Sequence, residues 1–241
     1  TQGVSSAASD VYKRQGLELV LKIAKTCDVV LENFRPGVVD RLGVGFEDIK
    51  ALNDKVLYVS VSGFGQSGPY KNRPGSDTVL QAFSGLISIN KGNEGSPHRV
   101  GTTIVDALTG LCTFQATSMA LFGGIKEAQF LDISLLQSAG VLLMPNIADF
   151  DLSKGPAIAL NPPAGTYKTK DGWFAVAIVK EQNFVDLCKL IGVEEVATDT
   201  RFDSSERRAK HLNDIMDIIQ DKLKDQTTNS VSYTHLRAHE T

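Results

Sequence analysis

The chain has 241 residues, of which 42% are hydrophobic and 22% are charged, and its net charge is −3 at pH 7. A chain of this length and composition can bury a sizeable core in one large or two smaller domains, which excludes an intrinsically disordered protein. The near-neutral charge does not favour nucleic-acid or anionic-membrane partners, and no membrane span is predicted because no apolar run approaches about 18 residues.

The three cysteines are widely separated in the chain. Cys27, Cys112 and Cys188 form no C-x-x-C pair and no spacing typical of a zinc site. We therefore expect three reduced thiols, as in a cytosol-like compartment, and no metal centre.

Both ends of the chain differ from the rest in their pattern. Residues 1–15 are small, polar and aperiodic, and residues 231–241 (VSYTHLRAHET) contain two of the four histidines and no core pattern. Both segments resemble translated sequencing adapters, so we expect non-native ends on a fragment of a longer protein. Ordinary disordered tails remain an alternative.

The first half of the chain alternates between helical and strand patterns. Apolar residues at helical spacing predict a helix over 16–27, and the run DVVL at 28–31 predicts a buried strand. Short helical turns are expected over 38–53. A second strand is predicted over 56–62 (VLYVSVS), and a helix over 77–86.

Two more elements follow before the composition changes. Residues 106–122 are small and apolar on most faces, which predicts a buried helix, and residues 130–136 are typical of a strand or a helix start. Strands and helices that alternate in this way predict an α/β fold.

The composition changes near residue 150. Residues 151–165 contain three prolines and two glycines, which predicts a linker. Asp171 and Gly172 form a hairpin signal between two strand-like runs, and helices are expected over 181–192 and 206–224. These elements indicate a second, smaller α+β domain.

A glycine pattern after the second predicted strand matches the dinucleotide-binding fingerprint. Gly63, Gly65 and Gly68 have the G-x-G-x-x-G spacing, in which a helix start would bind a pyrophosphate. Pro69 follows the third glycine, and the run after it cannot form the required helix. We therefore expect a loop with tight turns and no NAD or flavin site.

Four ordered motifs between residues 28 and 110 carry a family resemblance. They are ENFRPG at 32–37 with Arg41 and Gly43, SGFGQSGP at 62–69, PGSDTVLQAFSG at 74–85, and Asp106 with Gly110. With these motifs the chain resembles the class III (CaiB/BaiF-type) CoA-transferase family. The resemblance implies an enzyme that moves CoA from an acyl-CoA donor to a free carboxylic acid, with no metal and no redox cofactor.

The resemblance also implies an architecture. We expect a Rossmann-like large domain over 16–150 that lacks its N-terminal part, a linker over 151–165 and an incomplete small domain over 166–230. Members of this family form interlocked homodimers, which implies the same assembly for the full-length protein. A cytoplasmic or mitochondrial-matrix location is expected.

The family's catalytic nucleophile is an aspartate that becomes an aspartyl-CoA thioester during the reaction. By motif position, the resemblance assigns this role to Asp106, in the run RVGTTIVDALTG. A carboxylate is also favoured at a helix start by free N–H groups and the helix dipole, so a structural cap is the alternative.

The resemblance implies a CoA site from residues that match the family's nucleotide contacts. Guanidinium groups suit the phosphates of CoA because they carry a permanent charge and bind in a bidentate manner. The implied CoA-binding residues are Asn33, Phe34, Arg35, Arg41, Arg73 and Asp77. Two alternatives stay open, namely a surface ion pair of Arg41 with Asp40 or Glu47, and a capping role for Asp77 at the next helix.

A single residue distinguishes this chain from racemases that share the fold. Racemases of this fold carry a histidine immediately before the aspartate of the PG-x-D motif, where this chain has Ser76, so the acid–base pair is incomplete. An inactive CoA-binding homologue is a further alternative.

His98 is interpreted as a loop residue. The side chains of Tyr167, Lys168 and Lys170 are candidates for a second substrate carboxylate, or are simply solvated.

Formyl-CoA transferases carry a long glycine-rich loop in the region that corresponds to 161–171. This chain has only PPAGTYKTK there, which argues against oxalate and formate as its substrates.

Overall fold

The computed structural model describes residues 14–91, 95–155 and 161–231. The chain divides into two compact units with the boundary between Ala148 and Asp149, and each unit is described by itself. Most of the predicted non-native ends lie outside the described residues. At their inner edges, Arg14 begins the first helix and Val231 is buried in the core of the second unit.

The first unit is built on a parallel sheet of three strands, β1 (Val29–Glu32), β2 (Leu57–Ser62) and β3 (Gln129–Ser134), in the order β1-β2-β3. Val29 pairs with Leu57, which pairs in turn with Gln129. Every residue of β2 is buried, as expected for a central strand of a parallel sheet covered on both faces. The predicted α/β class is confirmed for this unit.

Seven helices lie in or begin in the first unit among the described residues. They are α1 (Arg14–Ala24), α2 (Val38–Leu42), α3 (Phe46–Lys50), α4 (Asp77–Phe83), α5 (Leu86–Ile89), α6 (Ile104–Gly123) and α7 (Leu135–Ser153). The predicted helix at 77–86 is interrupted at Gly85, which has a φ of +88° that favours glycine. The boundary between the units falls inside α7, just before the start of the predicted linker.

The residues of β2 alternate between two core clusters because successive side chains of a strand point to opposite faces. Leu57, Val59 and Val61 pack in a cluster with residues of α4, α6 and α7. On the other face, Tyr58 packs with Ala24 of α1 and Ile49 of α3. The Tyr58 hydroxyl donates to the Val44 carbonyl at 2.9 Å, so the buried phenol has a partner.

The expectation that residues 106–122 form a buried helix is half right. Residues Ile104–Gly123 form helix α6, but its buried residues Val105, Thr109 and Thr113 follow a spacing of four and cover one face only. Other faces are open within the described residues, and the Phe122 side chain is 96% exposed. Because α6 is apolar all round, its sequence could not show which face would pack.

Helix α6 is also long and apolar enough to cross a membrane, by length and composition alone. No membrane-spanning segment was predicted from the sequence. A single helix of this kind is weak evidence for a membrane span, since the core helix of a globular protein meets the same criteria of length and composition.

The loop after β2 is held by a close approach of two glycines. A Cβ on Gly63 would lie 2.9 Å from the Cα of Gly75, and one on Gly75 would lie 2.9 Å from both Gly63 Cα and Leu80 Cδ2. Gly65 and Gly68 have φ angles of +87° and +84°. Turns follow Gly68, and the next helix begins only at Asp77, so these glycines serve tight turns, as expected.

The second unit combines a two-stranded antiparallel sheet with short helices. Its elements are β4 (Gly165–Lys168), β5 (Trp173–Val176), α8 (Glu181–Leu190), α9 (Glu194–Ala197), α10 (Ser205–Lys210) and α11 (Leu212–Leu223). The predicted hairpin is confirmed. The Asp171 carboxylate in its turn accepts a hydrogen bond from the Thr228 N–H at 2.7 Å, which lowers the pKa of Asp171.

The helix predicted over 206–224 is divided at His211, which ends α10 and precedes α11. His211 has a φ of −114° and a ψ of 35°, outside the helical range. No glycine or proline marks this position, so the sequence carried no signal for the break.

A buried arginine joins the elements of the second unit. The Arg208 side chain is 1% exposed and donates to the carbonyls of Pro162 at 2.8 Å and Phe202 at 2.9 Å. It also pairs with Glu181 at 2.8 Å and lies 4.2 Å from the ring centroid of Phe184. Because each of the three guanidinium nitrogens has a partner, the cost of burying the charge is offset.

We expect Gly63→Ala to destabilise the first unit by about 1–3 kcal/mol, because the new methyl group would overlap the backbone of Gly75. Urea unfolding of the protein expressed from its complete gene measures the change. Gly101→Ala is the matched control, since a Cβ there meets nothing within 4 Å. Equal unfolding midpoints for the two variants would contradict the packing argument.

For the second unit, Arg208→Met should cost about 2–4 kcal/mol, because the two buried carbonyls lose their donor. Arg207→Met serves as the control. Arg207 is half-exposed in a surface pair with Asp203, and its loss should cost less than about 1 kcal/mol. Chemical unfolding of both variants tests the difference, and a cost for Arg208→Met no larger than that of the control would refute it.

Candidate active site

A cavity of about 650 Å³ lies at the carboxyl end of the parallel sheet. Asn33 follows β1, Val61 lies near the end of β2 and Leu135 follows β3, and all three line the cavity together with Asp106. In open parallel sheets, ligands bind outside the carboxyl ends of the strands. The cavity therefore occupies the expected place for a ligand site, and it contains the predicted nucleophile.

The rest of the cavity wall comes mainly from one face of α6. These residues are small or apolar and follow helical spacing; they are Thr109, Gly110, Thr113, Phe114 and Thr117, with Leu31 from β1. Thr109 and Thr113 each donate to the carbonyl four residues earlier at 2.7 Å, which turns their hydroxyl protons away from the cavity. Among the lining residues, Asp106 is the one ionisable group.

Asp106 lies in the first turn of α6, where backbone N–H groups have no partner within the helix. The carboxylate that binds them belongs to Asp77 of α4. Its Oδ2 accepts from the N–H of Val105 at 2.8 Å and from the N–H of Asp106 at 3.1 Å. Thr103 occupies the N-cap position but forms no side-chain cap.

Gln81, one turn further along α4, completes this arrangement. Its Nε2 donates to Asp77 Oδ1 at 2.6 Å and to the Thr102 carbonyl at 3.2 Å, and its Oε1 accepts from the Val100 N–H at 2.9 Å. Gln81 is fully buried and Asp77 is 5% exposed. The two side chains therefore hold the segment that leads into α6 from inside the fold.

The environment of Asp106 changes its acidity. Asp106 is exposed as a residue, but partial burial of its carboxyl raises its pKa above the ordinary value, and the nearby charge of Asp77 raises it further. Both effects disfavour the ionised form, and a carboxylate with a raised pKa is a stronger base and nucleophile once it is ionised.

A second hydrogen-bond group fixes the segment that carries Asn33, Phe34 and Arg35. Glu32 is buried, and its Oε2 accepts from the Phe34 N–H at 2.7 Å. Its Oε1 accepts from the Ser60 hydroxyl, which accepts in turn from Gln66 Nε2 at 2.7 Å. The loops after β1 and β2 are thereby joined at the edge of the sheet.

The loop after β2 has a further anchor on β3. The Gln66 N–H is bound by both carboxylate oxygens of Asp132, at 3.2 and 3.0 Å. A Cβ on Gly65 would lie 3.4 Å from Asp132 Oδ2, so the loop packs closely on this carboxylate.

The predicted CoA-binding residues are placed as follows. Asn33 lines the cavity, and its amide nitrogen donates to the Val61 carbonyl at 2.8 Å. Phe34, Arg35 and Arg41 are exposed and do not line the cavity. The ion pair weighed for Arg41 is not formed, since Glu47 lies instead 3.9 Å from Lys50 Nζ and no pair to Asp40 is found within the described residues.

Arg73 lies in the loop before α4. Its guanidinium stacks 4.7 Å from the ring centroid of Tyr70, which packs at 5.0 Å against Phe83 and at 5.9 Å against Phe64. The charge remains exposed at the edge of this aromatic group. A contact of Arg73 with a phosphate stays a prediction.

Asp77 was predicted to contact CoA, with a cap of the next helix as the alternative. The observed contacts differ from the capping alternative, since Asp77 caps α6 and not its own helix. Its carboxylate oxygens are bound inside the chain, and a contact with CoA stays a prediction.

The remaining candidates fall outside the cavity. His98 is exposed in a loop, where its backbone bonds to Ile87 and Asn90, as expected. Tyr167 is wrong as a carboxylate contact, because its ring is 1% exposed and its hydroxyl donates to the Pro163 carbonyl at 2.6 Å. Lys168 and Lys170 are exposed.

No group of three or more His, Cys, Asp and Glu side chains suited to a metal ion is found among residues 14–91, 95–155 and 161–231. The three cysteines are free thiols, and burial raises the pKa of Cys188 to about 11.

Two residues of the site were missed by the sequence analysis. Gln81 is four residues after Asp77, so the two share a helix face, and this spacing could have shown the pair. Glu32 belongs to the ENFRPG motif but was not assigned a role. No local signal indicated that its partner would be Ser60 on the neighbouring strand.

The model of CoA-transferase family III matches residues 2–238 of the chain. Over 226 residues, the chain is 31% identical to a succinate–glutarate CoA-transferase of Agrobacterium fabrum, and covers 56% of that protein. It is 29% identical to the human succinyl-CoA:glutarate CoA-transferase, of which it covers 54%. The two matches take in 90% and 95% of this chain.

A crystal structure of a CaiB/BaiF family protein from Brucella suis superposes with a TM-score of 0.78 at 27% identity, covering 95% of this chain and 63% of that one. The chain spans little more than half the length of the curated relatives it matches. The ordered motifs, the parallel sheet with Asp106 at its carboxyl end, and these matches agree with one another, and the chain belongs to CoA-transferase family III.

Proposed function

We propose that this chain carries the nucleophile and part of the CoA site of a CoA-transferase, which moves CoA from an acyl-CoA donor to a free carboxylic acid. The observation that carries the proposal is Asp106, the one ionisable group that lines a cavity at the carboxyl end of the sheet. Family membership supports it, because the motif resemblance assigns the role of the family's nucleophile to Asp106.

In the first step, an ionised oxygen of Asp106 attacks the thioester carbonyl of the donor. A C–O bond forms, the C–S bond breaks, and CoA leaves as a thiolate, so that Asp106 and the acyl group share a mixed anhydride. The thiolate then attacks the Asp106 carbonyl carbon. This forms an aspartyl-CoA thioester and releases the donor acid as a carboxylate, so no net proton is consumed.

The acceptor acid repeats these steps in reverse. Its carboxylate attacks the aspartyl-CoA thioester and releases the CoA thiolate, and the thiolate attacks the acceptor's carbonyl in the new anhydride. The product acyl-CoA forms and the Asp106 carboxylate is regenerated. Each step exchanges one acyl bond for another, and covalent catalysis divides a difficult exchange into easier ones.

The CoA nucleotide is proposed to bind along the segment after β1. Asn33 borders the cavity, while Phe34, Arg35 and Arg41 present an aromatic ring and two guanidinium groups to solvent. An aromatic ring suits the adenine face, and guanidinium groups suit the phosphates. The exposed guanidinium of Arg73 is a further phosphate contact in this proposal.

Short dicarboxylic acids are the proposed substrate class. The support is that the two relatives above are named as a succinate–glutarate CoA-transferase and a succinyl-CoA:glutarate CoA-transferase. The racemase alternative gains no support, since an exposed serine, Ser76, precedes Asp77. An interlocked homodimer and a cytoplasmic or mitochondrial-matrix location stay predictions.

The covalent step predicts a CoA adduct on Asp106. The protein expressed from its complete gene is mixed with succinyl-CoA, trapped with hydroxylamine and digested, and the peptide containing Asp106 is examined by mass spectrometry. We expect a hydroxamate on Asp106 that is absent without acyl-CoA.

Asp106→Asn should lower kcat on the order of 10,000-fold while leaving CoA binding intact, since the nucleophile is lost and the binding residues remain.

Asp214→Asn is the matched control, because Asp214 is also an aspartate in the first turn of a helix. Its activity should equal that of the wild type. An unmodified Asp106 in folded protein that binds CoA, across several acyl donors, would refute the covalent mechanism and favour a racemase or an inactive CoA-binding protein.

The nucleotide site predicts a different kinetic change. Arg35→Gln and Arg41→Gln should each weaken acyl-CoA binding by about 10-fold or more, since a charge-assisted contact to phosphate is lost. The value of kcat at saturating acyl-CoA should stay near that of the wild type. Arg201→Gln, which removes an exposed pair with Asp199, is the control. An unchanged KM in both variants would exclude these residues from the CoA site.

A further inference from the structure

We propose that Asp77, held by Gln81, is a positioning residue that fixes the nucleophile Asp106 through the backbone at the start of α6. The inference rests on the proposed function, since it assigns a role relative to the nucleophile. It concerns a residue that the family resemblance had placed in the CoA site.

The geometry is that of a helix cap supplied from elsewhere in the chain. With Thr103 as N-cap, Val105 and Asp106 are the second and third residues of α6, whose N–H groups a capping side chain usually binds. Thr103 does not bind them, and Asp77 binds both. One of these two bonds is made to the backbone of Asp106 itself.

The cap is itself held in one orientation. Gln81 binds the second oxygen of Asp77, and its other two hydrogen bonds reach Val100 and Thr102 just before α6. Asp77, Gln81 and Val105 are all buried, so water does not compete for these contacts. The position of Asp106 in the cavity is therefore set by α4 as well as by its own helix.

The same contact places two carboxylates close together. The elements packed most extensively against α6 are α4, β2 and β3, and their titratable groups are Asp77, Tyr58 and Asp132. Of these three, Asp77 is the one whose charge raises the pKa of Asp106, in addition to burial. Removing the charge of Asp77 should therefore lower the pKa of Asp106.

Asp77→Asn tests the inference because it preserves shape but removes the charge and one acceptor oxygen. The protein expressed from its complete gene is mixed with succinyl-CoA, quenched in acid at short times, and the CoA adduct on Asp106 is quantified between acidic and neutral pH. We expect adduct formation to slow by about 10-fold to 100-fold, because the nucleophile loses its alignment. The KM for acyl-CoA should change by less than about two-fold.

The pH profile separates positioning from a merely structural role. Asp106 attacks only when ionised, so a lower pKa moves the acid limb of the profile to lower pH in Asp77→Asn. Gln81→Met keeps the charge of Asp77 but removes the donor on its second oxygen. Gln81→Met should slow adduct formation and leave the acid limb of the pH profile in place. If Asp77→Asn does not fold, Gln81→Met tests the positioning role by itself.

Asp48→Asn is the control, since Asp48 also binds a backbone N–H at a helix start, that of Gly45. Its rate and pH profile should match the wild type. Wild-type rates and an unshifted acid limb in folded Asp77→Asn would overturn the inference and leave the proposed function standing. A wild-type protein that binds CoA but forms no adduct on Asp106 would instead overturn the proposed function, and this inference with it.

Discussion

The backbone N–H groups at the start of α6 must find acceptors inside the fold, and the carboxylate of Asp77 provides them. Asp77 thereby joins α4 to Val105 and Asp106, which lie 28 and 29 residues further along the chain. This contact requires α4 to begin beside α6, which in turn requires the loop after β2 to turn back closely. That turn is possible because Gly63 and Gly75 meet with no side chain between them. The position of Asp106 is therefore a consequence of packing in the whole first unit.

A network of buried and half-buried polar groups lies at the same end of the sheet. Glu32, Ser60 and Gln66 join the loops after β1 and β2, while Asp132 of β3 binds the backbone of the second loop. Burying such groups costs free energy unless each one is hydrogen-bonded, so the network specifies one loop conformation. Asn33 and Asp106, which come from different elements, are thereby brought to one cavity. The exposed Arg35 and Arg41 stay available to an anionic ligand.

Much of the fold could be predicted from local sequence patterns. The strand at 57–62 contains two valines and a tyrosine, which are typical of strands. The hairpin around Asp171 and Gly172 has a strong turn signal, and both elements were found. The errors lie where local pattern is uninformative. Helix α6 is apolar on every side, so periodicity did not show that only its Val105, Thr109 and Thr113 face would be buried. The break at His211 has no glycine or proline to mark it.

In the candidate site, too, some features could be predicted from the sequence and others depend on the tertiary structure. The sequence by itself determined the family motifs, the identity of the nucleophile candidate Asp106 and the run of residues after β1, because these depend on residue type and order. Only the tertiary structure decided that Asp77 caps α6, that Gln81 binds the backbone of Val100 and Thr102, and that Glu32 is bound by Ser60. The physical reason is that a buried hydrogen bond between distant segments depends on how the chain packs. Spacing along the sequence carries no record of that packing.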